Sequence, residues 1–298
     1  MANIILDYYK GIDLYSDGDI EDTILNLVKS HDDNLIQKSI EESNDFAILY
    51  HLSKARGNII SVCDIKKSDV CLEIGAGCGA ISEAILTKTE HLDAIELSKR
   101  RSEINAERNK NHKDFNIIVG NFTDIDINLD KKYDKIFLIG VLEYSSLYVN
   151  SNNPFTDLLF RVRNLLKEDG SIFIAIENKY GMKYFNGARE DHTGNFFESI
   201  TGYYNKTAKT FSNLELRDMF KTVGLNNVYF YYPLPDYKFP NVIYSEDYLP
   251  DSSSIYNIGH SLDRDRAVLF NEDLALYEAK CAKHFETFTN SFLIKVGK

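Results

Sequence analysis

From Val70 onward the apolar residues fall into short runs, separated by segments in which they recur every three or four positions. The runs at 70–74, 92–97, 115–119, 134–139 and 171–177 predict strands, and the amphipathic stretches near 79–88, 99–110 and 154–167 predict helices between them. Strands alternating with helices at this spacing mean βαβ units and a parallel sheet. Asn153-Pro154 marks the third helix start, a cap followed by proline at the first helical position. Ser212 and Glu215 have capping-box spacing, and Gly224 ends the helix they open. Further strands are expected at 227–232 and 291–296.

Before Val70 the pattern is helical. Ile20, Ile24, Leu27 and Val28 share a helical spacing, as do Phe46, Leu49, Leu52, Ile59 and Ile60, with Asp19 and Asp45 standing as N-caps. The first 18 residues show no regular pattern; their Tyr8, Tyr9 and Tyr15 read either as a lid or as an anchor for the N-terminus. The intervals 179–211 and 233–289 are too long for plain connections and read as lids or substrate-shaping insertions. The expected organisation is a helical cover at 1–66, an α/β core at 67–178, an insertion at 179–211, and the rest of the sheet at 212–298 with a second insertion at 233–289. Both insertions are rich in tyrosine (Tyr180, Tyr184, Tyr203, Tyr204, Tyr237, Tyr244, Tyr248, Tyr256), which serves packing or a ring-lined groove for sugar faces.

A length of 298 residues suits one large α/β domain or two ordinary ones. Lys and Arg number 34 against 45 Asp and Glu, so the net charge of −11 argues against a nucleic-acid or membrane-binding surface. The basic run Lys99-Arg100-Arg101 reads as the outer face of a helix. Cys63, Cys71, Cys78 and Cys281 have neither C-x-x-C nor zinc spacing and read as reduced thiols. No apolar run approaches the ~20 residues of a membrane span, and no basic segment leads into an apolar signal core, so a cytoplasmic location is expected.

The sharpest local signal is VCLEIGAGCG at 70–79. It ends the first strand of the alternating pattern and opens its helix; Gly75, Gly77 and Gly79 allow a tight turn and close approach of a ligand. Glu96 ends the next strand 21 positions after Gly75, where a carboxylate can accept both hydroxyls of a ribose. A nucleoside-containing cofactor follows. Gly75, Gly77 and Ala80 also satisfy the dinucleotide pattern, which keeps an NAD-dependent oxidoreductase or epimerase as an alternative. Glu73 opposes it, because a carboxylate there suits a cationic amino-acid moiety better than a pyrophosphate. Asn121 and Phe122 after the third core strand suit an adenine edge and face.

In this order the motifs resemble those of class I S-adenosylmethionine-dependent methyltransferases. LEIGAGCG looks like the first motif, AIELS the second, GNFTD the third, YDKIFLIGVLEY the fourth, and LLKEDGSIFIAIEN the segment through the fifth strand. The resemblance implies a Rossmann-like α/β fold, a seven-stranded, mostly parallel sheet whose last strand, SFLIKV, inserts antiparallel. It implies S-adenosylmethionine as donor and S-adenosylhomocysteine as product. The cofactor residues carried over are Glu73, Gly75, Ala76, Gly77, Gly79, Glu96, Leu97, Asn121, Phe122, Gly140 and Leu142, with Arg56 as a candidate for the cofactor carboxylate. DYYKGIDLYSDGDIED, ENKYGMKYFNGAREDHTG, YYPLPDYKFPNVIYSEDYLP and TNSFLI look like a bacterial subgroup encoded beside or fused to glycosyltransferases of surface polysaccharide or flagellar glycan. That subgroup implies a sugar, or an amino-acid substituent on a glycan, as acceptor, with pathway glycosyltransferases as partners and a monomer or homodimer.

A sulfonium is already a strong methyl donor, so the protein's task is to align the acceptor atom and to take its proton. His192 is the first candidate base, followed by Glu177 and Asp191. Glu143, Tyr144, Asn178, Tyr180, Asp236 and Tyr237 are candidate acceptor contacts at strand exits and in the insertions. No metal is expected, since the histidines lack ligand spacing, although Asp191, His192 and Asp236 could converge in space. Methylation of a free small metabolite is the nearest alternative, and a degenerate fold that only binds a partner is the non-enzymatic one.

Overall fold

The computed structural model describes residues 2–204, 208–251, 264 and 266–298. The chain forms two compact units, Met1–Leu138 with Leu165–Gly170, and Ile139–Asn164 with Ser171–Lys298.

In the first unit lie β1 (Asn3–Ile5), β2 (Val70–Ile74), β3 (His91–Glu96), β4 (Phe115–Val119) and β5 (Tyr133–Ile139). They lie side by side in the order β1-β4-β3-β2-β5, every pair parallel. The strands read as near-continuous apolar runs because helices cover both faces of such a sheet. The order reverses at β2, with β3 on one side and β5 on the other, so a crevice opens beyond its carboxyl end, where ligands bind in open α/β sheets. Gly75 begins there, directly after Ile74, which is in register with Ile95 and Leu138.

The N-terminal helices run Ile20–Ser30, Asp33–Glu42 and Phe46–Leu52, followed by a 3-10 stretch at Lys54–Val62. Ile24, Val28, Ile48 and Leu52 are buried in one cluster with Cys78 and Ile104. Asp45 caps its helix by accepting the Ala47 N–H at 2.8 Å. Asp19 does not cap: its backbone is already helical and its side chain makes no capping bond. Asp32 does so for the second helix, accepting from Asn34 and Leu35.

The patternless first segment is tied down by carboxylates. Asp13 accepts the Lys99 N–H at 2.7 Å and the Ser98 hydroxyl at 3.1 Å. Arg101 corrects the reading of its basic run as a solvated helix face, since it is 5% exposed. It donates to Glu21 and to Asp17, both at 2.7 Å, and Asp17 also meets His51 Nε2 at 2.7 Å. Spacing alone placed the run on a helix but carried no sign of the acidic partners, 80 or more positions away.

In the second unit lie most of β6 (Leu166–Glu177), with β7 (Asn227–Leu234), β8 (Val242–Ser245) and β9 (Ser291–Gly297). Their order is β6-β9-β7-β8, and β9 runs antiparallel to both β6 and β7, as expected of the last strand. Nine strands are described instead of seven. The additional two, β1 and β8, are three and four residues long, too short for a periodic signal, and each forms an edge. The predicted capping box is present: Ser212 and Glu215 bond reciprocally ahead of the helix Asn213–Thr222.

Tyr184 and Tyr237 are buried, whereas Tyr204 and Tyr248 are 77% and 72% exposed; Tyr256 lies outside the described residues. Cys63, Cys71, Cys78 and Cys281 form no disulfide among the described residues. Among the described residues, no helix is long and apolar enough to cross a membrane.

Candidate active site

The turn after β2 is built around Glu96. Gly75 and Ala76 donate to the Ile95 carbonyl at 2.8 and 3.2 Å. Gly77 N–H then donates to Glu96 Oε2 at 2.7 Å, and Ser98 N–H to Oε1 at 3.0 Å. Burial raises the Glu96 carboxyl against the pull of these donors and Arg101, and the Leu97 N–H adds to that pull. The carboxylate is therefore held in place by backbone donors on one side, with further lone pairs available to a diol. Gly79 sits at φ +85°, and a Cβ there would stand 2.3 Å from Asn105 Oδ1. Only glycine permits this approach.

Glu73 is buried below the turn. Its Oε2 accepts the Ser82 hydroxyl at 2.5 Å, and Ser82 in turn accepts from Asn105 Nδ2 at 2.9 Å. Burial pushes the Glu73 carboxyl up to about 8, with Glu96 adding to the rise, and the Ser82 bond and the charge of Arg56 opposing it. Arg56 is buried over the ring of Tyr50, 4.1 Å from its centre. Asn121 accepts the Thr123 N–H at 3.2 Å and starts the short turn that buries Phe122. The first unit thus gathers every expected cofactor residue except Gly140 and Leu142, which belong to the second unit.

The second unit holds a buried cluster of ionisable groups. His192 is fixed from one side by Glu190, which lies 3.0 Å from Nδ1 and accepts the His192 N–H at 2.8 Å. Its other ring nitrogen, Nε2, lies 3.7 Å from Glu143 Oε1 and 3.8 Å from Glu177 Oε2. Burial alone would lower the His192 imidazole, but Glu177, Glu143 and Glu190 outweigh it and hold it well above its ordinary value. Glu143 is 1% exposed, and neither of its oxygens makes a hydrogen bond among the described residues. Burial raises its carboxyl, the charge of Glu177 adding to the rise and His192 opposing it. Glu177, at the end of β6, has Lys238 Nζ 2.5 Å from Oε1; that charge overcomes burial and keeps it ionised.

Asp191, another candidate base, lies on the lysine side of the cluster. It accepts from the Tyr184 hydroxyl at 2.6 Å and pairs with Lys183 and Lys238, both at 2.8 Å. Against burial these ammonium groups hold it well below the carboxylate range, so it anchors the two lysines. Asp236 accepts the Lys238 N–H at 2.7 Å and lies 3.9 Å from Lys183. Tyr237 is buried with its hydroxyl against Gly140, 2.8 Å from where a Cβ would stand. Tyr144 meets the His192 ring edge to face at 5.2 Å. Asn178 donates to the Thr287 and Thr289 carbonyls and accepts the Tyr180 N–H, so its side chain braces the exit of β6. Tyr180 is half-buried beside Lys179.

Glu143, Glu177 and His192 each offer one ligand atom, all within 4.8 Å of one another, a set that could hold a metal ion. Of the residues noted as able to converge, His192 belongs to this trio, whereas Asp191 and Asp236 face lysines. Lys183 and Lys238 escaped the sequence reading, and Glu190 was noted only as a neighbour of His192. Glu190 was signalled only by its place two residues before the histidine, and the lysines by nothing local.

Residues 72–172 match the family model described as a methyltransferase domain. Among curated proteins, the chain is 40% identical over 82 residues to ribosomal RNA small subunit methyltransferase A of Borreliella afzelii, covering 28% of this chain and 29% of the relative. The enzyme of that name from Malacoplasma penetrans is 30% identical over 128 residues, 43% of this chain and 44% of its own. The chain thus spans less than half the length of these relatives. Among solved structures, a SAM-dependent methyltransferase from Archaeoglobus fulgidus superposes with a TM-score of 0.51 at 13% identity, covering 85% of this chain and 98% of that one. The CcbJ methyltransferase of Streptomyces caelestis gives 0.50 at 14%, covering 88% and 95%. These likenesses show the fold. Residues 72–172 are thus similar to a methyltransferase domain.

Proposed function

We propose that the chain transfers the methyl group of S-adenosylmethionine to a nitrogen or oxygen of a sugar, or of an amino-acid substituent on a glycan. The lone pair of the acceptor attacks the methyl carbon as the S–CH₃ bond breaks. The bonding pair stays on sulfur, which leaves as adenosylhomocysteine, and the acceptor's proton goes to a protein base. In this reading Glu96 takes the ribose hydroxyls and Glu73, with Arg56 nearby, the amino-acid end of the donor.

The observation that carries the acceptor half is Glu143, a carboxylate buried with neither oxygen hydrogen-bonded among the described residues. An unsatisfied buried carboxylate is costly to keep, and a polar N–H or O–H of an acceptor relieves that cost. Glu177 flanks it as a further proton-accepting group and His192 as a hydrogen-bonding one. The glycan class is supported by the resemblance of the insertion segments. An RNA acceptor, suggested by the names of the curated relatives, is opposed by the net charge of −11.

The test is to incubate the protein with S-adenosylmethionine and glycans from a strain lacking its gene, following adenosylhomocysteine release and the mass of the glycan. A gain of one methylene-equivalent mass on a sugar or its substituent is expected. Methylation of RNA, or of a free metabolite alone, would overturn the glycan reading while leaving methyl transfer in place.

A further inference from the structure

We infer that Glu143, Glu177 and His192 form a site for one first-row divalent transition-metal ion. Acidic clustering is not the basis. Both Glu143 oxygens lack a hydrogen bond among the described residues, and Oε1 of this carboxylate stands 3.7 Å from His192 Nε2. Glu177 Oε2 stands 3.8 Å from the same nitrogen. Both separations are too long for hydrogen bonds. They fall inside the roughly 3.4–4.2 Å that separates two ligands bound at about 2.1 Å to one ion.

The surroundings are those a metal-bound histidine has. Its other nitrogen is bonded to a carboxylate, Glu190, which fixes the ring and directs Nε2 toward the two open oxygens. Glu177 is held from behind: Lys238 occupies Oε1 and leaves Oε2 on the histidine side. Charge points the same way. Among the described residues, Glu143, Glu177, Glu190, Asp191 and Asp236 are five carboxyl groups facing two ammonium groups, Lys183 and Lys238, so even counting the His192 imidazole as a cation the acidic groups outnumber the basic ones by two. A buried excess of that size calls for a cation.

One imidazole with two carboxylates suits Mn²⁺, Fe²⁺ or Zn²⁺ better than Ca²⁺. Three protein ligands also leave a coordination position open, as in catalytic metal sites. An acceptor hydroxyl or amine bound there would lose its proton more readily.

The probe is Mn²⁺, titrated into chelator-treated, full-length protein and followed by loss of the electron paramagnetic resonance signal of the free ion. One ion per chain should bind, Zn²⁺ should displace it, and Glu143→Gln and His192→Gln should each weaken it at least about tenfold. Circular dichroism confirms that both variants are folded. No uptake by folded protein, or uptake undiminished in both variants, overturns the inference. Ion binding is read without any acceptor, and adenosylhomocysteine titration reports the donor site separately, so failure here is distinct from failure of the methyl-transfer reading.

Discussion

Glu190 grips His192 twice, through Nδ1 at 3.0 Å and through the backbone N–H at 2.8 Å, although the two residues are only two positions apart. The same carboxylate accepts the Thr193 N–H at 2.7 Å and the Tyr203 hydroxyl at 3.0 Å. A loop that would otherwise be free to turn thus presents one ring nitrogen, Nε2, to Glu143 and Glu177.

Replacing Glu190 by Gln keeps the shape and removes the charge that stabilises the Nδ1 proton. Turnover should fall about 10–100-fold, the usual cost of losing such a supporting carboxylate. The specific readout is the ¹⁵N NMR spectrum of the imidazole, in which the Nδ1 and Nε2 signals of His192 should change places or broaden. A lowered unfolding temperature with unmoved ¹⁵N signals would reduce Glu190 to a loop brace.

Glu96→Ala removes the acceptor of the Gly77 and Ser98 N–H groups and the group expected to take the ribose hydroxyls. Hydrogen bonds to a charged group contribute about 1.5–3 kcal/mol, so adenosylhomocysteine affinity should fall by one to two orders of magnitude in calorimetry. NAD⁺ should not bind either protein. Unchanged adenosylhomocysteine affinity in the variant would place the ribose elsewhere.

The difference between these two sites is also a difference in what the sequence could reveal. Glu96 was legible because its role is local: it closes a strand at a fixed distance from a glycine turn, and parallel pairing of β2 with β3 brings the two together. The expected strands at 70–74 and 115–119 coincide with β2 and β4 for the same reason, since consecutive apolar residues encode burial on both faces. The acceptor cluster was legible only in part. Glu177 and Glu143 were singled out as polar residues at strand exits, and His192 as a residue of the first insertion. Yet Asp191 and Glu190, adjacent in sequence, have opposite neighbours, one held by Lys183 and Lys238 and the other by the histidine itself. Lys238 comes from 47 residues downstream, a distance at which no spacing rule speaks.

Arg101 should be among the costliest residues to truncate. Its guanidinium is 6% exposed and faces Glu21, which is 2% exposed. Arg101→Ala strands a buried carboxylate, and breaking such a pair costs about 3–5 kcal/mol. Urea unfolding should show that loss, and Arg101→Leu combined with Glu21→Leu should recover a large part of it. If the double variant is no more stable than Arg101→Ala, the cost lies in packing and not in the stranded charge.

Glu73 supplies a pH dependence whose sign follows from burial. Its ordinary carboxyl value is 4.5, and burial in the folded chain raises it to about 8. Below 4.5 both folded and unfolded chains hold the proton, and Glu73 leaves stability unaffected. Between 4.5 and 8 the unfolded chain has lost a proton that the folded chain keeps, so stability declines as pH rises, by at most about 1.4 kcal/mol per unit from this group. Above 8 both are ionised and the full penalty applies. Glu73→Gln should therefore match the parent near pH 5 and become progressively more stable relative to it toward pH 8, measured by denaturant unfolding in one buffer series. The donor site should show the complementary effect. A ligand ammonium settling beside Glu73 draws the proton off, so adenosylhomocysteine binding at pH 7 should release protons, seen as a dependence of calorimetric heat on buffer ionisation enthalpy. In Glu73→Gln that release should vanish and affinity should drop. Equal proton release by both proteins would assign it to another group and remove Glu73 from contact with the cofactor's amino end.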